Sequence, residues 1–184
     1  MNIGLFGGTF DQIHLGHLRA VKEVSERFGL SLTYFIPAAL PPHKPHQVIS
    51  PVDDRLEMMH LAVGHLEAFE VSDIELRRTG PSYTIDTLKH FKDGSGAADH
   101  TFYLIMGLDA FLEIDTWKAY LEIFKLVSVI VMARPDGSLV SLESPWQTVI
   151  EFVRQKISNS YRITDTGACH ADGEYQPIHF IDVS

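Results

Sequence analysis

The first 36 residues do most to decide what this chain can fold into. Ile3-Gly4-Leu5-Phe6 is a short apolar run closed by Gly7-Gly8, the pattern of a buried strand. Leu18, Val21, Val24 and Phe28 then recur at helical spacing, which predicts a helix over residues 17–28 with Gly29 as its stop. Leu32-Thr33-Tyr34-Phe35-Ile36, rich in aromatic and branched side chains, predicts a second strand. Strand, glycine-rich loop, helix and strand form a βαβ unit, and such a crossover sets its two strands parallel.

The remaining chain continues the alternation. Residues 37–46 hold four prolines and are irregular. Ser50 reads as a helix N-cap and Pro51 as the first helical residue. Asp53 and Asp54 then lie at the positive helix end, and Leu56, Met59, Val63 and Leu66 form the apolar stripe. A short strand is expected over 69–72 and a helix carrying Ile85, Leu88 and Phe91, with a surface loop over 93–99. Residues 101–106 form the most pronounced strand pattern, ending at Gly107. A helical region broken near Asp115 follows, then a strand over 127–132, a helix over 146–157 and a last strand over 179–183. The sum is an α/β, doubly wound parallel sheet of Rossmann-like type, expected as a single domain over 1–184.

Charge and cysteine usage narrow the partners. A net charge of -9 gives no bulk attraction to nucleic acid or to an anionic membrane, so an anionic ligand needs local groups. No apolar run reaches the roughly 18 residues that a membrane span needs. The single Cys169 rules out an internal disulfide and a thiolate metal cluster and suits a cytoplasmic protein. A homo-oligomer is left open.

The loop after the first strand carries the chemistry. In doubly wound sheets, ligands collect beyond the carboxyl ends of the strands, where the strand order reverses. Gly7, Gly8 and Gly16 let backbone N–H groups approach an anion, and the following helix start adds partial positive charge. His14 and His17 flank that helix start, placed to hydrogen-bond a polyphosphate and its transition state. The plainer alternative is that the glycines shape a turn and the histidines cap a helix. A Gly-x-Gly-x-x-Gly fingerprint and a P-loop ending are both absent, and no carboxylate or thiol set completes a metal pattern around the histidines.

Gly7-Gly8-Thr9-Phe10-Asp11 with His14-Leu15-Gly16-His17 resembles the His-x-Gly-His signature of the nucleotidylyltransferase superfamily. Pro41-Pro42-His43-Lys44, Gly80-Pro81-Ser82-Tyr83-Thr84-Ile85-Asp86-Thr87, Met106-Gly107-Leu108-Asp109 and Trp117 follow in the order found in bacterial nicotinate-nucleotide adenylyltransferases. The resemblance implies transfer of AMP from ATP to nicotinate mononucleotide, giving nicotinate adenine dinucleotide and pyrophosphate on the route to NAD. It departs from the family in Gln12, where proline is frequent. It also departs in showing no Ile-Ser-Ser-Thr segment with its arginine, so part of the ATP-binding apparatus is expected to be missing. A related transferase with another phosphate acceptor, or a nucleotide-binding module without catalysis, remains an alternative.

The resemblance assigns His14 and His17 to catalysis. It assigns Gly7, Gly8, Thr9, Phe10, Gly16, Lys44, Gly107, Asp109 and Arg134 to ATP and phosphate binding. Ser82, Tyr83, Thr84 and Trp117 fall to nicotinate mononucleotide. Each has a plainer alternative: Lys44 as a solvated lysine, Ser82 as an N-cap, Trp117 as core, Asp109 as a helix cap and Arg134 as a turn residue. The only cofactor implied is Mg2+ carried on the ATP phosphates, because no carboxylate cluster resembles a dedicated cage.

Overall fold

The computed structural model describes residues 1–39, 49–94, 96–133 and 145–184. In chain order the elements are β1 (Asn2–Gly8), α1 (Leu15–Phe28), β2 (Leu32–Pro37), α2 (Val52–Val63), β3 (Phe69–Val71), α3 (Thr84–Asp93) and β4 (Thr101–Gly107). They continue as α4 (Leu108–Leu112), α5 (Tyr120–Leu126), β5 (Ser128–Ala133), α6 (Pro145–Phe152), β6 (Tyr161–Thr164), β7 (Gly167–His170) and β8 (Ile178–Asp182). Gly29 ends α1 in the left-handed conformation (φ 58°), which a residue without Cβ adopts at no steric cost.

The strands form one sheet in the order β3-β2-β1-β4-β5-β8-β7-β6. From β3 to β8 every pairing is parallel, and β7 and β6 add antiparallel to one edge. The sheet is therefore mostly parallel, as expected, and the hairpin β6–β7 is an addition that the sequence pattern does not mark. That hairpin turns at Asp165-Thr166 before Gly167, a signal too short to stand out in the sequence. Cys169 lies on β7 and is exposed.

Side chains of the central strands alternate between two cores, as the period-two pleat requires. Leu5, Leu104, Val129 and Phe180 join Ile85, Phe111 and Phe124 on the face covered by α3 to α6. Phe6, Ile105, Ile130 and Ile181 join Val21, Val24 and Met59 on the face covered by α1 and α2. The break expected near Asp115 is a 3-10 turn at Ile114–Thr116, pinned by the fully buried Ile114.

The N-terminus of α2 differs from expectation. Pro51 is the cap residue rather than the first helical one. The buried stripe is Arg55, Met59 and Val63, while Leu56 is half-buried. Among the described residues no helix is long and apolar enough to cross a membrane.

Candidate active site

The strand order reverses between β1 and β4, and there the carboxyl ends of the two strands part. A cavity of about 310 Å3 opens at this point, floored by Leu5, Ile36, Leu104 and Met106. Gly7, Gly8 and Thr9 reach it from β1, Ser82, Tyr83 and Thr84 from the start of α3, Gly107 and Asp109 from the β4–α4 junction, and Trp117 from the turn before α5. Three helix starts (α1, α3 and α4) therefore surround one end of the sheet. The first N–H groups of a helix have no intrahelical acceptor, so this end presents donors suited to anions.

The β1–α1 loop is held by buried groups. Phe10 takes a positive φ of 48°, rare for a side chain of its size, and is buried against Phe6 and Phe35. Its ring meets His17 edge-on at 5.5 Å. His14 stacks on His17 with ring centroids 3.8 Å apart, and the His14 backbone N–H donates to His17 Nδ1 at 3.3 Å. With that lone pair engaged, the neutral His17 ring carries its proton on Nε2. The two histidines thus do cap α1, the plainer alternative, and this capping sets the tautomer, with the ring proton on the far side from the cap.

Beneath the loop lies Arg55, only 1% exposed. Its Nη1 donates to the carbonyls of Thr9 (2.7 Å) and Ala38 (3.0 Å), and its Nε donates to Ser50 O (3.1 Å). One guanidinium so ties the end of β1, the end of β2 and the entry to α2. Burial lowers the Arg55 pKa, opposed by the nearby Asp11 carboxylate. Asp11 accepts the Ser50 N–H at 3.1 Å, and hydrogen bonds from the Ser50 hydroxyl and N–H hold its carboxyl below the usual range.

The other wall is built from the segment before α3. Ser82 is not the helix cap: Tyr83 occupies that position, and Ser82 Oγ accepts the Ala39 N–H at 2.9 Å. Behind Ser82, Glu75 is 7% exposed and accepts the Thr87 hydroxyl at 2.6 Å. Burial raises the Glu75 carboxyl above its ordinary range, against the lowering effects of Thr87, Arg78 and Ser82. Trp117 is half-buried, and its backbone N–H donates to Ile114 O at 2.9 Å. Lys118 beside it holds Asp86 at 3.0 Å and lies 4.6 Å from the centre of the Tyr83 ring.

Nine residues singled out in the sequence thus line one cavity: Gly7, Gly8, Thr9, Ser82, Tyr83, Thr84, Gly107, Asp109 and Trp117. His14, Gly16 and His17 stand beside it at the start of α1, with Phe6 both lining the cavity and lying 6.2 Å from the His17 ring. The Phe10 ring packs inward and supports that start. Lys44 and Arg134 lie outside the described residues. Arg55, Glu75, Thr87, Glu113 and Lys118 were not singled out. Arg55 left a trace, since it stands four residues before Met59 and eight before Val63 on one helical face. No local pattern marks Glu75 for burial. Among the described residues no group of three or more His, Cys, Asp or Glu side chains is placed to hold a metal.

Residues 5–164 match the family model described as cytidylyltransferase-like, and the chain belongs to that family of nucleotide-handling α/β proteins. A protein of Desulfatibacillum aliphaticivorans named "Probable nicotinate-nucleotide adenylyltransferase" is 46% identical over 135 residues, covering 73% of this chain and 61% of its own length. Proteins of the same name from Geotalea uraniireducens and Trichlorobacter lovleyi are 44% and 42% identical, over 78% and 85% of this chain and 66% and 71% of their own lengths. Within the family the chain falls among the nicotinate-nucleotide adenylyltransferases, and it spans less than two thirds of the first two relatives. The fold is shared with Plasmodium falciparum nicotinic acid mononucleotide adenylyltransferase. Its complex with NaAD matches at TM-score 0.70 and 15% identity, covering 98% of this chain and 74% of that one; its complex with APC matches at 0.66 with the same coverage.

Proposed function

We propose that this protein transfers AMP from ATP to nicotinate mononucleotide, releasing pyrophosphate and forming nicotinate adenine dinucleotide for NAD synthesis in the cytoplasm. The observation that carries the reading is the single cavity that joins the β1 loop to the Ser82–Thr84 segment and Trp117. A phosphate oxygen of the mononucleotide attacks the α-phosphorus of ATP, and the bond from that phosphorus to the β-phosphate bridging oxygen breaks. The nucleophile is already an anion, so the step needs alignment and charge stabilisation rather than a general base.

In this proposal the ATP phosphates lie along Gly7, Gly8, Thr9 and the start of α1, where His14 and His17 donate to them. Lys44 and Arg134 add positive charge, and Mg2+ arrives on the phosphates. Gly107 gives the nucleotide room to approach, and Asp109 accepts its ribose hydroxyls. The acceptor's pyridine ring lies on Trp117, with its carboxylate at the unpaired N–H groups that open α3. Support for a carboxylate there comes from the N–H groups and dipole at the start of α3 and from Lys118, which lines the same cavity. We treat the 184 residues as one nucleotidyltransferase unit.

The test is a parallel assay of ATP with nicotinate mononucleotide, nicotinamide mononucleotide and phosphopantetheine. The expected result is dinucleotide and pyrophosphate formation, fastest with the nicotinate form. A preference for phosphopantetheine overturns the reading in favour of a related transferase. ATP binding without turnover of any acceptor leaves a nucleotide-binding module.

A further inference from the structure

A set of hydrogen bonds runs along the wall of the cavity that the proposed function gives to the acceptor, through the lining residues Glu75, Ser82 and Thr87. The Ala39 N–H donates to Ser82 Oγ, and the Ser82 side chain stands near enough to the Glu75 carboxyl to favour its ionised form. From the other side Arg78 Nη2 donates to Thr87 Oγ1, and the Thr87 hydroxyl donates to Glu75 Oε1 at 2.6 Å. Arg78 also stands 3.7 Å from the same carboxylate oxygen. An ionised carboxylate only accepts, so Glu75 turns the Thr87 hydroxyl inward and leaves its oxygen to receive Arg78.

The set connects four pieces of backbone. Ala39 follows β2, Glu75 and Arg78 belong to the segment after β3, Ser82 precedes α3, and Thr87 lies one turn into it. Ala39 is next to Ala38, whose carbonyl Arg55 holds. Ser82 Oγ receives the Ala39 N–H and its side chain faces the Glu75 carboxyl, so that hydroxyl is turned toward the protein. A ligand carboxylate at the start of α3 then meets backbone N–H groups rather than the serine side chain.

We propose that Glu75 is the positioning residue of the acceptor subsite: its carboxylate orients Ser82 and Thr87 and so sets where the α3 N–H groups face the bound mononucleotide. Burial of a carboxylate is expensive, and that of Glu75 is offset by the Thr87 hydroxyl and the Arg78 charge. The role concerns the acceptor and not ATP, because the set ends on Ala39 without touching Gly7, Gly8 or the histidine pair.

This inference rests on the proposed reaction, and the experiment separates the two. Steady-state kinetics of the wild type and of Glu75→Gln are measured with each substrate varied in turn. Gln keeps the size of Glu but presents an amide NH2 to one of the two hydroxyls, which reverses part of this arrangement. The expected result is a KM for nicotinate mononucleotide raised about tenfold, with kcat and the KM for ATP within about twofold of wild type. An unchanged acceptor KM, or equal rises in both KM values, overturns the role of Glu75 while leaving the reaction in place. No turnover of a pyridine mononucleotide by the wild type overturns both. If Glu75→Gln does not fold, the same split is read in Thr87→Val, with Thr87→Ser restoring the wild-type KM; failure of serine to restore it also overturns the proposal.

Discussion

His14 donates its backbone N–H to His17 Nδ1 at 3.3 Å while the two rings stack 3.8 Å apart. One contact therefore closes the open end of α1 and assigns the tautomer of His17. Phe10 and Phe6 hold the ring from behind, so the Nε2 donor is oriented before any ligand arrives. Preorganisation of this kind lowers the cost of stabilising charge in a transition state.

Replacing His17 by Ala is expected to lower kcat at least about a hundredfold with a smaller change in the KM for either substrate. Steady-state assays with saturating ATP and nicotinate mononucleotide check this. Turnover near wild type would remove His17 from the reaction and leave it a helix cap.

Arg55→Met strips the donors from the carbonyls of Thr9, Ala38 and Ser50. Half-buried acceptors keep some access to water, so each costs less than the roughly 1–3 kcal/mol of a fully buried one, and a total loss of about 3 kcal/mol is expected in urea unfolding. Arg55→Lys should recover only a fraction, since a single ammonium does not span three carbonyls as a planar fork does. A loss under about 1 kcal/mol for Met would show that the three segments do not depend on this guanidinium.

Trp117→Ala should raise the KM for nicotinate mononucleotide about tenfold and leave the KM for ATP near its wild-type value, because an indole face contributes by stacking on the acceptor ring. Trp117→Phe should retain most of the affinity. Equal effects of alanine on both substrates would point instead to collapse of the turn that Ile114 anchors.

His179, on β8, packs edge-on against Phe28 at 5.0 Å, and burial lowers its pKa below 6.5. In the window just below that value the unfolded chain binds a proton that the folded chain refuses. Stability is therefore present above pH 6.5 and falls as the pH drops through the window. His179→Gln should flatten this acid slope in thermal melts taken between about pH 7.5 and 5.5. Parallel wild-type and variant profiles would mean that His179 is not the group responsible.

Much of this architecture was legible in the sequence. The βαβ opening, the strand that runs into Gly107 and the break near Asp115 all follow from hydrophobic period and glycine placement, which depend on a residue and its near neighbours. The glycine loop and the histidine pair were visible for the same reason, since their chemistry lies within a dozen consecutive residues. The hairpin β6–β7 was not, because its strands are four residues each and gain stability from pairing with one another and, through β7, with β8 rather than from their own pattern.

The sequence by itself therefore determined the alternating α/β order, the phosphate-type loop and the candidate residues along the chain. Tertiary structure alone decided that Gly8, Ser82, Gly107 and Trp117 face one cavity, since the crossing from β3 to β4 at the switch point brings them together. It also decided that Arg55 and Glu75, two charged side chains with the composition of surface residues, are buried supports of that cavity. Burial of a charge depends on how many donors and acceptors converge on it from distant segments. Convergence of that kind is a property of the folded chain and has no period in the sequence.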